Sequence, residues 1–340
     1  MKIKKRASIA ITLIVLIFAF YGNYSTVFAD GKTYYLGGYV AGFSIRTRGA
    51  TVVGISEVIT DKGVVSPSEN AGIKIGDVIL SLNGKEVNAG ADIDKILSSH
   101  KNGYIVTEIL RDKALKIIDV FPEKDLTGKF RLGLFLRDDL TGLGTITYVT
   151  ENGCFASLGH PVSDENGKAL NVIGGSVYAA EIIGTNKAKR GTAGELKGIF
   201  IGKPKGEITA NRETGMYGKF FNFKPDEKNK IETGRAHIGK AKIYSTVTGQ
   251  NPEYYDIEIV KADGRKNVGK NIVIKITDKK LLSLTGGILQ GMSGSPIVQD
   301  GRLVGAVTHV FINDATRGYG INVDNMTERQ ASVINESKAS

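Results

Sequence analysis

Residues 289–310 read LQGMSGSPIVQDGRLVGAVTHV, and their reading decides the fold of the C-terminal half. Two serines, Ser293 and Ser295, stand in a tight Gly-rich turn. Pro296 to Gln299 has the character of a strand, Asp300-Gly301 is a turn pair, and Leu303 to Val310 is a second strand. Such a hairpin is either plain scaffold or the seat of a nucleophile. A serine nucleophile needs a base within hydrogen-bond reach, a group that orients the base, and amide donors for the oxyanion.

Four histidines are candidates for the base. His100 ends a helical pattern, His237 lies in an exposed basic strand entrance (GRAHIGKAK), and His309 sits inside the strand that follows the serine turn. His160, in CFASLGHPVSD, follows a small-residue turn at a strand end, where a β scaffold presents a side chain to a cleft.

Upstream of the serine turn the chain is a succession of short strands with glycine turns: LFLRDDLTGLGTITYV, EITAN, GKAKIYSTV, YYDIEIVKA and NIVIKITD. Regular short strands of this kind mean a barrel or sandwich. The pattern predicts one all-β domain over 123–328 and a polar tail over 329–340. GRKNVGK (264–270) nearly spells a phosphate-binding loop, but Asn271 stands where Ser or Thr would hold magnesium. The segment also joins two strands, so it reads as a basic hairpin turn.

Residues 36–122 read differently. Val78 to Leu82 is a strand ending at an Asn83-Gly84 turn. ADIDKILSSH carries Ile93, Ile96 and Leu97 at helical spacing, with Asp92 as N-cap, and two strands close the segment. The stretch AGIKIGDVILSLNGKEV resembles the PDZ domains of bacterial proteases. That family adds an extended peptide as a strand beside a loop whose amides hold a carboxylate. The apolar-Gly-apolar sequence Ala41-Gly42-Phe43 is the expected loop, and the helix around Ile93 and Ile96 the other wall.

The chain has 340 residues, room for two domains, and its 43 glycines suit a turn-rich, strand-rich protein. The formal charge is +10, but Lys2, Lys4, Lys5 and Arg6 cluster at the start. No basic stripe interleaves with aromatics, which argues against nucleic acid as a partner. A basic MKIKKR, an apolar run from Ile9 to Phe20 and small residues at Val27 and Ala29 read as an export signal over 1–29. It is either cleaved after Ala29 or kept as a signal anchor, and the remainder is expected to be exported. The single Cys154 offers no disulfide or metal framework.

The serine turn is similar to the GDSGGPLV signature of chymotrypsin-like peptidases, which places Ser293 as nucleophile and the amides of Gly291 and Ser293 in the oxyanion hole. Met292 replaces the acid before the nucleophile, so activation by pairing with a new N-terminus is not expected. Gly287 and Ile288 fall at the base of the primary specificity pocket, where no acid selects Arg or Lys. The hydrophobic N-terminus, the PDZ segment, LGH, GMSGSP and AVTHVF.ND…GYG occur in the order of the SpoIVB peptidase family, and the chain resembles that family over 36–326. The resemblance implies a mainly β chain, an N-terminal α+β PDZ domain followed by an all-β, chymotrypsin-like double-barrel peptidase domain. It implies His160, Asp278 and Ser293 as a catalytic triad, with no metal or cofactor. Asp278 ends a strand only fifteen residues before Ser293, and Asp164 and Asp256 stand as alternatives. The resemblance further implies cleavage of a partner between forespore and mother-cell membranes, the extracytoplasmic part of a regulator of a membrane metalloprotease that processes a pro-sigma factor. Self-processing of the N-terminal segment belongs to the same expectation. The rival reading is an exported PDZ scaffold with a degenerate peptidase domain.

Overall fold

The serine hairpin is one wall of a closed β-barrel. A computed structural model describes residues 33–164, 167–264 and 269–339; the expected export signal over 1–29 lies outside them. The barrel runs through Gly239–Ser245, Glu253–Ala262, Ile272–Ile276, Asp314–Asn322, Arg302–Phe311 and Pro296–Gln299, each antiparallel to its neighbour. Strand alternation fills it: Tyr255, Ile257 and Ile259 from one strand meet Ile272, Ile274 and Ile276 from the next in a common core.

A second ring closes upstream. Leu134–Val149, Cys154–Ser157, Gly215–Phe220, Gly194–Arg212, Val172–Asn186 and Val40–Ile55 pair in that order, and Val40–Ile55 pairs back onto Leu134–Val149. The result is a chymotrypsin-like pair of six-stranded barrels. Its first core holds Phe43, Ile146, Phe155, Val177 and Met216.

Val40–Ile55 and Leu134–Val149 are too long for one barrel. Their far ends run on into the PDZ lobe, where Ala50 and Thr51 pair with Ile79 and Val78. The lobe's core joins Val52, Ile79, Leu82, Ile93, Ile105 and Ile109 with Leu132, and Leu134 and Leu136 pack against it. The Asn83-Gly84 turn has both residues at positive φ, as a two-residue hairpin requires. Asp92 is not the N-cap of the helix Gly90–Ser98; Ala89 is. Its carboxylate still caps the helix from the third position, accepting the amides of Asn88 at 2.9 Å and Ala89 at 3.0 Å.

The packing crosses the expected divisions at two places. Leu132, Leu134 and Leu136, beyond 122, pack with the lobe's core, and residues 41–47 pair within the first barrel. The polar tail is a helix, Val323–Ala339, whose Met326, Gln330 and Val333 are buried against the barrels. Their spacing of three to four residues is the helical signal.

Candidate active site

Each barrel delivers one chemical group to the seam between them. His160 follows the first barrel's Cys154–Ser157 strand, after Leu158 and Gly159, both at positive φ. A non-glycine residue such as Leu158 in that region is strained, and such strain persists only where packing over-determines it. Ser293 precedes the second barrel's Pro296–Gln299 strand. The seam is stitched by backbone: the Thr145 amide donates to the Ser293 carbonyl at 2.9 Å, and the hydroxyls of Thr145 and Thr147 donate to the Gly291 and Gly294 carbonyls at 2.9 and 2.7 Å. Gly294 sits at φ 94°, and a β-carbon there would collide with the Thr145 carbonyl oxygen and the Leu158 amide. Only glycine fits.

His160 and Ser293 line one cleft of about 810 Å³. The Ser293 hydroxyl donates to the Thr308 carbonyl at 2.7 Å. His160 Nδ1 lies 2.9 Å from the Pro161 carbonyl. A carbonyl only accepts, so Nδ1 carries the proton and Nε2 keeps its lone pair. Burial pushes the His160 pKa down, opposed by the Pro161 carbonyl and assisted by the nearby Lys270 charge. Ser295 is wholly buried, its hydroxyl donating to the Met292 carbonyl at 2.6 Å and lying within hydrogen-bond distance of the Ser245 hydroxyl, at 2.8 Å. The Gly291 backbone has φ 97°, and among the described residues the Ser293 amide donates to no backbone carbonyl. These are the two donors expected of an oxyanion hole.

The structure does not bring Asp278 to His160. Asp278 is the N-cap of the helix Lys279–Thr285, accepting the Leu281 amide at 2.9 Å and the Asp256 amide at 3.2 Å. The five-residue strand Ile272–Ile276 separates Asp278 from Lys270, which lines the cleft, and such a strand spans about 16 Å. The alternatives do not take its place: Asp256 pairs with Lys242 at 2.6 Å on the exposed barrel wall, and the Asp164 carboxylate accepts the Lys168 amide at 2.9 Å within its own loop. Among the described residues, no carboxylate lines the cleft.

His309 occupies the space beside His160 instead, with ring centroids 4.6 Å apart. The register of the Arg302–Phe311 strand shifts between Val307 and Val310, a bulge that re-aims Thr308 and His309 beside the serine. Among the described residues, His309 Nδ1 is buried without a hydrogen-bond partner. Burial, His160 and Lys270 together push its pKa down to about 4. In the sequence His309 reads as one residue of an apolar strand, and the bulge that exposes it has no local signature. His100 does not line this cleft; it packs edge-to-face against Phe130, and His237 pairs with Asp300 at 2.8 Å.

The PDZ residues also move. Ala41-Gly42-Phe43 is not a loop: it lies mid-strand, paired with Gly144, Leu143 and Gly142 on one side and Ala179, Tyr178 and Val177 on the other. Neither edge is open to a peptide. The groove of the lobe is lined by Ile93 and Leu97 of the Gly90–Ser98 helix and by Leu132-Gly133-Leu134 and Leu136. Gly133 has φ 71°. Among the described residues, no strand pairs with the groove-side edge of Leu134–Leu136, whose other edge bonds Ile55, Gly54 and Val52. Ile96 packs in the lobe core, and Leu97, one turn after Ile93 on the same helix face, is the second wall residue.

Comparison with known proteins adds the following. The model of the SpoIVB peptidase S55 family matches residues 128–327, and that of the PDZ domain matches residues 45–120. Among solved structures, the HtrA-type protease AlgW with decapeptide is 13% identical, with 59% of this chain and 55% of that chain covered and a TM-score of 0.35. The chain thus spans about half the length of that relative. The inactive form of the Rv3671c protease from M. tuberculosis is 14% identical, with 56% of this chain and 84% of that chain covered and a TM-score of 0.30.

Proposed function

Since the chain belongs to the SpoIVB peptidase S55 family and is a serine peptidase with a PDZ domain, we propose that it is an exported endopeptidase of sporulation signalling. In this reading it acts outside the cytoplasm, membrane-associated or between the forespore and mother-cell membranes. It cleaves the extracytoplasmic part of a membrane-protease regulator and processes its own N-terminal segment. Ser293 attacks the scissile carbonyl, and His160 Nε2 takes its proton and returns it to the leaving amine. The amides of Gly291 and Ser293 hold the oxyanion. The Pro161 carbonyl does the orienting that a carboxylate does elsewhere, fixing the His160 tautomer. The Ser293 hydroxyl turns from the Thr308 carbonyl to His160 when substrate enters.

The observation that carries this reading is the placement of Ser293 and His160, from different barrels, in one cleft. The rival, a degenerate PDZ scaffold, draws on a cleft whose described lining carries no carboxylate and on the serine hydroxyl held by Thr308. Turnover of a protein substrate separates them. Ser293→Ala is expected to abolish it, and Ser295→Ala to retain much of it as a folded but weakened protein. Equal turnover in wild type and Ser293→Ala would leave the scaffold reading. The PDZ groove between the Gly90–Ser98 helix and Leu134–Leu136 receives a peptide terminus as an added strand, with Gly133 at the carboxylate end.

A further inference from the structure

The sequence GRKNVGK, which resembles a phosphate loop, ends at Lys270, and Lys270 reaches the catalytic cleft. Lys270 lines it together with His160, Ser293 and His309. It is the one permanently charged side chain among the described lining residues. Among the described residues no ion pair holds it; its ammonium lies over the Tyr319 ring, 5.2 Å from the centroid. Both histidines feel its charge. Elsewhere the cleft wall is mostly apolar, with Leu158, Met216, Ile288 and Val310 among its residues beside the uncharged polar Ser163 and Gln290.

A cation with no ion-pair partner among the described residues, in a cleft whose described lining carries no carboxylate and is mostly apolar, attracts one kind of partner and repels another. A substrate carboxylate gains a charge-assisted contact there, and a Lys or Arg side chain meets a like charge in a partly desolvated space. We propose that Lys270 is a specificity determinant of this peptidase, selecting substrates that carry an Asp or Glu side chain beside the scissile bond. The inference rests on the peptidase reading and deepens it. Lys270 takes no part in the bond-making steps, so its work appears in the choice among substrates.

The test is cleavage of a set of decapeptides by the full chain. The set starts from a neutral, apolar-centred sequence that wild type cleaves and Ser293→Ala does not, with Asp, Asn or Lys placed in turn at each of the four positions flanking the cut. Wild type is expected to favour Asp over Asn by about three- to tenfold in kcat/KM at one position, the scale of a partly exposed ion pair, and to disfavour Lys there. Lys270→Ala is expected to lose the preference while cleaving the neutral peptide at near wild-type rate. Lys270→Glu is expected to reverse it toward Lys. A second readout is the acidic limb of kcat/KM on the neutral peptide, which moves to higher pH in Lys270→Ala because a cation near His160 has been removed. No charge preference in wild type, or one that survives unchanged in Lys270→Glu, overturns the assignment and leaves the peptidase reading intact. Failure of wild type to cleave any peptide or to react with a serine-directed probe overturns both.

Discussion

His160 sets the pH behaviour of this site. Only its neutral form accepts the Ser293 proton, and its pKa lies below the ordinary histidine value of 6.5 through burial. Activity is therefore expected to fall on acidification with a midpoint below 6.5 and to be level across neutral pH, as a kcat/KM profile would read. His309 adds a stability effect with a definite sign. Its folded pKa of about 4 lies below the unfolded 6.5, so the unfolded chain binds more protons between those values. Stability is full above 6.5 and declines as pH falls toward 4. Tm measured from pH 7 to 4.5 should drop less in His309→Phe, which keeps the ring beside His160; parallel curves would contradict this. Asp278→Asn should cleave at near wild-type rate, because Asn also caps a helix and the carboxylate serves the Leu281 and Asp256 amides. A collapse of turnover in a folded Asp278→Asn protein would restore it as the orienting acid.

At the scale of elements, the PDZ lobe is held by one buried ion pair. Arg111 donates to both oxygens of Asp77, at 2.7 and 2.6 Å, and the Asp77 side chain is only 1% exposed. Arg111→Ala strands that carboxylate and should cost about 3 kcal/mol, measurable by urea unfolding. This clamp begins at the Gly76-Asp77 turn, and the strand and Asn83-Gly84 hairpin after it were legible because their signals are local: alternation, turn residues, a helical triplet. The Ser293 turn and the small-residue turn before His160 were legible for the same reason. Ala41-Gly42-Phe43 was not. An apolar-Gly-apolar triplet has the same look in a loop and in a strand, and what decides is pairing with Gly142–Gly144 and Val177–Ala179, more than ninety residues away. Leu132-Gly133-Leu134 carries the same triplet and lay past the expected domain boundary. Asp278 was assigned through the family resemblance, and its engagement at the head of the Lys279–Thr285 helix, on the Leu281 and Asp256 amides, has no signal in the motif that suggested it.

For the whole molecule, two strands tie the lobe to the peptidase. Val40–Ile55 and Leu134–Val149 run through both, so neither body owns a complete sheet without the other. Residues 36–122 alone lack Leu132, Leu134 and Leu136 and should remain unfolded by circular dichroism, while the full chain melts in one transition. Two separate transitions would contradict the shared-strand account. The barrel seam makes a related prediction: Gly294→Ala forces a β-carbon against backbone atoms at positive φ and should cost roughly 2 kcal/mol or more, with loss of activity.

The account stands or falls on Ser293 and His160 working together across that seam without Asp278 as the orienting acid. The direct measurement is covalent labelling by a serine-directed phosphonate, with the adduct located by mass spectrometry and its rate compared in wild type, His160→Ala and Asp278→Asn. The predicted result is a single adduct on Ser293, formed at a similar rate in Asp278→Asn and slower by about 10²–10⁴ in His160→Ala, the usual worth of a general base. An adduct on another residue, or labelling of Ser293 that is indifferent to His160, would contradict it.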